Sequence, residues 1–166
     1  MKTYNAAILL VDDDRHFLEF VESGLRHAGA TGPIRGVSSG DEAIAYLGGE
    51  GRYDDRAAYP YPNFIITDLK MSNGDGFNLL RYLKSHADTA IIPTVVFSGS
   101  SDLDDIKSAY RLGASSYHVK PHTPQALRQQ LKILHDYWMS CETPQIDAGG
   151  RQILTDSEGK LGQHHA

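Results

Sequence analysis

Strand-like and helix-like signals alternate along the chain. Short runs suited to strands at residues 6–11, 34–37, 64–67, 94–97 and 116–119 are each followed by a stretch of helical periodicity, at 15–28, 40–47, 76–86, 103–112 and 124–141. Five βα units therefore follow one another. The strand runs are near-continuous in apolar residues rather than alternating, as strands covered on both faces require. The pattern predicts an α/β, doubly wound parallel sheet. Local chemistry marks the helix starts: Ser39 with Glu42 and Ser101 with Asp104 have the Ser-x-x-acid spacing that satisfies free N–H groups, and Thr123 stands before Pro124 at a first helical position. Leu127, Leu131, Leu134 and Trp138 form one apolar stripe, read as core.

Two segments break the rhythm. Residues 48–62 (GGEGRYDDRAAYPYP) make a connection longer than compact domains usually carry, and are expected to be an insertion. Residues 143–166 are polar and Gly-rich, with Ile146, Ile153, Leu154 and Leu161 as the sizeable apolar side chains. The expected organisation is one domain over 1–142 and a loosely ordered polar tail over 143–166.

Composition narrows the class. A chain of 166 residues with 40% hydrophobic and 22% charged residues has room for a real core. The net charge of -5 and the scattered Lys and Arg argue against a nucleic-acid partner. The opening apolar run is too short for a signal peptide or a membrane span, so a cytoplasmic location and no membrane partner are expected. The single cysteine, Cys141, has no internal partner and fits a reducing compartment. The eight histidines show no ligand spacing and read as surface groups.

In a parallel sheet the residues just after the strands gather along one edge, where open α/β folds bind ligands. Here those residues are Asp12-Asp13-Asp14, Asp68, Ser98-Gly99-Ser100 and Lys120-Pro121. Asp12, Asp13 and Asp68 in one crevice would repel one another unless a cation were bound, and oxygen ligands select Mg2+ or Mn2+. Lys120 and Ser98 supply a point charge and a hydroxyl for phosphoryl oxygens, which leaves Asp68 as the nucleophile. Each signal alone has a plainer reading: acids after a strand cap helices, as Asp14 is expected to do, and an Asp after a strand forms turns. The conjunction in this chain order is what is specific.

The stretches ILLVDDD (8–14), IITDLKMSNGDGFNLL (65–80), TVVFSGS (94–100) and GASSYHVKPHT (113–123) resemble the receiver domains of response regulators. The resemblance implies a CheY-like, flavodoxin-like sheet of strand order 2-1-3-4-5, flanked by five helices. It implies phosphorylation of Asp68 by a histidine kinase or phosphotransfer protein in a two-component phosphorelay. Asp13 matches a direct metal ligand, as do Asp68 and the backbone C=O of Lys70, and Asp12 matches the acid that acts through water. Ser98 matches the switch hydroxyl, Tyr117 the switch aromatic, Lys120 the lysine before a usually cis proline, and Gly76 the glycine of the acceptor loop. Lys70 and Ser100 match the positions that tune the phosphoryl lifetime. Self-dephosphorylation is implied, not catalysis in the ordinary sense.

Ser72 stands where the family usually has proline, and is expected to touch no ligand. Gly99, the small residue after Ser98, should leave Tyr117 free to turn inward. The Tyr-rich connection and the Tyr137-Trp138 pair resemble single-domain regulators of phytochrome-type kinases, which would make a photoreceptor kinase the donor. No output domain is expected after residue 141, so output is expected through a protein contact at the face of the fourth helix, fifth strand and fifth helix. A homodimer through that face or the Tyr137 and Trp138 region is among the states this allows. Two rivals stand beside this reading. One is a haloacid-dehalogenase-type phosphatase using Asp12, although His16 and the late chain do not match it. The other is a pseudo-receiver that only binds.

Overall fold

The computed structural model describes residues 5–72 and 75–151. Five parallel strands, β1 (Ile8–Val11), β2 (Ile34–Val37), β3 (Phe64–Thr67), β4 (Thr94–Ser98) and β5 (Ser116–Val119), form one sheet of order β2-β1-β3-β4-β5. Between and after them run α1 (Arg15–Ala28), α2 (Gly40–Gly48), α3 (Gly76–Ser85), the single turn α4 (Ala87–Ala90), α5 (Leu103–Arg111) and α6 (Pro124–Ser140). The additional α4 lies between the third helix and β4, where the Thr89 hydroxyl donates to the Leu83 carbonyl.

Alternate residues of each strand serve opposite faces. Ile8 and Leu10 pack with Val21 and Leu25 of α1 and with Leu127, Leu131 and Leu134 of α6. Leu9 and Val11 pack on the other face with Tyr46 of α2 and Leu79 and Leu83 of α3. The apolar stripe read from α6 is therefore core, and both faces of the sheet are covered.

The caps follow chemistry, with one correction. Ser39, Thr123 and Asp14 accept from Glu42, Ala126 and Phe17 N–H groups as expected. The cap of α5 is Asp102, not Ser101, because the Asp102 carboxylate accepts the Asp104 N–H at 2.7 Å. The histidine reading also needs correction at two positions, since the His135 side chain is only 10% exposed and His118 is withdrawn too. His118 is half-buried, its ring stacked on Phe97 at 5.1 Å, and burial pushes it below the ordinary histidine range.

The 48–62 insertion folds back on α2. A 3-10 turn (Gly51–Asp54) brings Tyr53 against Tyr46, the residues after it bring Tyr59 against both, and Arg56 donates to the Tyr46 and Leu47 carbonyls at the end of α2. Glu42 ties this cluster to α2. Burial opposes its charge, but the Ser38 N–H, the Tyr53 hydroxyl at 2.5 Å and Arg52 together hold its carboxyl below its ordinary value of 4.5. A carboxyl depressed in the fold stabilises above its unfolded value and loses that contribution as pH falls through its folded one. Wild type should therefore lose more stability than Glu42→Gln on acidification below 4.5, measured by urea unfolding across pH.

Residues 143–151 dock under the sheet. Ile146 is buried in the cluster of Leu9, Tyr46 and Tyr61, its carbonyl accepts from Asn63, and the Tyr61 N–H donates to the Ala148 carbonyl. This start of the tail is held because one apolar side chain and a few backbone groups find partners at the foot of β3. Ile153, Leu154 and Leu161 lie outside the described residues. Ile146→Ala is expected to cost about 2 kcal/mol in urea unfolding, the usual scale for emptying a buried aliphatic site.

Candidate phosphoryl-acceptor site

Parallel pairing carries the chain ends of β1, β3, β4 and β5 to one edge. The ladder continues one residue past β1 and β3: the Asp12 N–H donates to the Val37 carbonyl and the Asp68 N–H to the Val11 carbonyl. Asp12 and Asp68 are consequently buried side by side, at 3% and 8% exposure. Asp68 is fixed further by the Leu69 N–H, which donates to its Oδ1 at 2.7 Å. Behind it, the Gly76 N–H donates to the Leu69 carbonyl, and a Cβ on Gly76 would lie 2.0 Å from the Asp68 carbonyl oxygen. Glycine is what lets α3 start against the loop that follows β3.

Lys120, just past β5, reaches across the sheet edge. Its Nζ lies 2.6 Å from Asp12 Oδ2 and 3.0 Å from Asp68 Oδ2, and 4.0 Å from the centre of the Phe17 ring. Burial opposes its charge, yet the two carboxylates outweigh burial and hold its ammonium above the ordinary lysine range. Asp12 is pushed up by burial and by the Asp68 charge, against the pull of Lys120. Asp13 completes the cluster, and one oxygen from each of Asp12, Asp13 and Asp68 lies within 4.8 Å of the others. Three carboxylates facing one ammonium leave an excess of negative charge on an all-oxygen donor set. That set suits a hard divalent metal ion.

Ser72 meets an acid of the cluster directly, a contact that sequence reading did not foresee. Its N–H and hydroxyl donate to Asp13 Oδ2 at 3.1 and 3.2 Å. Proline has neither group, so the departure from the family pattern adds two donors to an acid of the cluster. The Lys120–Pro121 bond, expected cis from the resemblance, is trans, the form a tertiary amide already prefers.

Ser98, the last residue of β4, is buried; its hydroxyl accepts the Ser100 N–H at 3.2 Å and its carbonyl accepts the Lys120 N–H. Tyr117 packs against the cluster of Leu69, Leu80 and Val96, and its hydroxyl donates to the Ser100 carbonyl at 2.8 Å. Nothing lies within 4 Å of a Cβ built on Gly99, so the space beside Ser98 is open. Lys70 and Ser100 send their side chains to Asp105, which sequence reading missed because an acid in a first helical turn reads as a dipole partner. Asp14, the second acid that an Asp-x-Asp phosphatase would need, is occupied at the α1 N-terminus. A groove of about 350 Å³ opens beside Asp12 and Asp13, lined by Arg15, Glu19 and Ser38 among others.

A five-stranded doubly wound sheet with this edge defines the class. Residues 8–132 match the response regulator receiver domain family, and the chain belongs to it. It resembles phytochrome-associated regulators within that family. The response regulator Rcp1 of Synechocystis sp. is 28% identical over 82% of this chain and 90% of its own length. The Mn2+-bound form of Rcp1 superposes with a TM-score of 0.78, covering 84% of this chain and 99% of that one, at 27% identity. The phosphorylated cyanobacterial phytochrome response regulator RcpA superposes with a TM-score of 0.79 at 30% identity, covering 85% of this chain and 99% of that one. The probable methanogenesis regulatory protein FilR2 of Methanothrix harundinacea is 28% identical over 80% of this chain and 83% of its own length.

Proposed function

We propose that Asp68 accepts a phosphoryl group from a histidine kinase or phosphotransfer protein, and that phosphorylation switches a protein-binding face. The observation that carries this reading is a buried carboxylate at the end of β3 paired with Lys120 and flanked by Asp12. An Asp68 oxygen bonds to phosphorus as the donor's phosphorus–nitrogen bond breaks, and the electron pair stays with the imidazole. Lys120 stabilises charge on the transferred oxygens. Asp13, Asp68 and the Lys70 carbonyl, with Asp12 through water, would hold Mg2+ or Mn2+, which supplies further charge stabilisation when bound. Water later releases inorganic phosphate and restores the carboxylate, so the chain is a self-resetting acceptor rather than an enzyme with a separate substrate.

Ser98 and Tyr117 are the switch pair, joined through Ser100. The output face is that of α5, β5 and α6, where Leu103, Tyr110, Val119, Ile133 and Tyr137 are exposed. Such a face suits a homodimer or another protein partner. The likeness to the phytochrome response regulator RcpA supports a phytochrome-type kinase as donor. No described helix is long and apolar enough to cross a membrane. The test is intact mass after acetyl phosphate treatment, with Mg2+ or with chelator. One phosphoryl group gained only with the metal supports the reading; none gained with Mg2+ overturns it.

A further inference from the structure

Lys70 and Ser100 sit on the loops that follow two neighbouring strands, β3 and β4, and their side chains meet on one atom. Lys70 Nζ lies 3.0 Å from Asp105 Oδ2, and the Ser100 hydroxyl donates to the same oxygen at 2.5 Å. Asp105 is not spent on capping α5, since Asp102 does that. The Ser100 hydroxyl and the Lys70 ammonium hold the Asp105 carboxyl below the ordinary range, and Asp105 in turn raises Lys70. Ser100 is gripped at two further points, its N–H by Ser98 and its carbonyl by Tyr117. Asp105 thus joins the acceptor loop to the loop that contacts both switch side chains. The Lys70 side chain is 66% exposed and that of Asp105 19%, so the more buried end anchors the freer one. A pair this exposed adds little stability. Its consequence lies in where it keeps the lysine.

We propose that Asp105 is a positioning residue that holds Lys70 and Ser100 as a bar beside the mouth of the Asp68 site and thereby sets the lifetime of the phosphoryl group. This rests on the reading of Asp68 as acceptor. In hydrolysis a water oxygen bonds to phosphorus as the bond to the Asp68 oxygen breaks. The electron pair returns to the carboxylate, and the water's proton leaves on inorganic phosphate. Attack must come in line with the breaking bond, and a fixed lysine stem and serine narrow that approach. Freeing them opens it.

The full-length chain is charged with acetyl phosphate and Mg2+, the donor is removed, and loss of the phosphoryl mass is followed for wild type, Asp105→Ala, Lys70→Ala and the double variant. Each single variant should lose the group about fivefold faster, and the double variant no faster than either, because one bar is removed in all three. A purely structural role for Asp105 would lower the unfolding midpoint and leave the lifetime unchanged. A wild-type lifetime in Asp105→Ala, or effects that multiply in the double variant, overturns the proposal while leaving Asp68 as acceptor. No uptake by wild type overturns both. Should Asp105→Ala fail to fold, Asp105→Asn carries the test: it keeps an acceptor for Ser100 and loses the charge that holds Lys70, so a wild-type lifetime there overturns the proposal.

Discussion

Asp68→Asn is expected to gain no phosphoryl mass from acetyl phosphate under conditions where wild type gains one group. The amide has nearly the shape of the carboxylate, so its oxygen can still accept the Leu69 N–H that bonds Asp68 Oδ1. What is lost is the anionic nucleophile and one of the two carboxylates on Lys120. A neutral carboxamide oxygen is a far poorer nucleophile toward phosphorus, so the effect is loss of uptake rather than a slower rate. The fold should persist, because removing a negative charge beside Asp12 relieves the repulsion that helps push Asp12 up. Phosphoryl mass on a folded Asp68→Asn chain would move the acceptor elsewhere and refute the assignment.

Gly76→Ala is the second large effect. The added Cβ would meet backbone at its three nearest contacts: the Asp68 carbonyl oxygen at 2.0 Å, and the Asp68 carbonyl carbon and Leu69 Cα at 2.9 Å. No flexible side chain can yield there, so either α3 moves off the acceptor loop or the loop moves with Asp68. A loss of about 3 kcal/mol in urea unfolding is expected, the upper end of overpacking costs. Phosphoryl uptake by the remaining folded chain should fall, since Asp68 shifts relative to Lys120. Gly99→Ala is the matched control: the Cβ enters open space and stability should stay within about 0.5 kcal/mol of wild type. Equal stability of the two variants would remove the packing argument.

Much of the site was legible because strand ends in a parallel sheet share an edge. Asp12, Asp68, Ser98 and Lys120 each follow or end a run that the pattern marks as a strand, so chain order alone brings them near one another. The helix starts at Ser39 and Thr123 were legible for a similar reason, since a cap is a contact over three residues. At α5 the same logic slipped by one position, because Ser101 and Asp102 both offer a cap and only the backbone path chooses between them. The Ser72 contact with Asp13 spans 59 positions, and the Lys70 contact with Asp105 joins two separate loops. Neither leaves a periodic signal.

What the sequence by itself determined is the succession of βα units, their apolar faces and the acids, hydroxyl and lysine at the strand ends. These are set by local periodicity and short-range hydrogen bonding, which the order of residues carries directly. Tertiary structure alone decided which side chains on those loops touch. It set Lys120 between two carboxylates, turned Ser72 onto Asp13, gathered Lys70 and Ser100 on Asp105, and drew Ile146 beneath the sheet. Such contacts depend on the paths of several segments packed at once, and side chains far apart in the chain choose partners only after the core has fixed those paths.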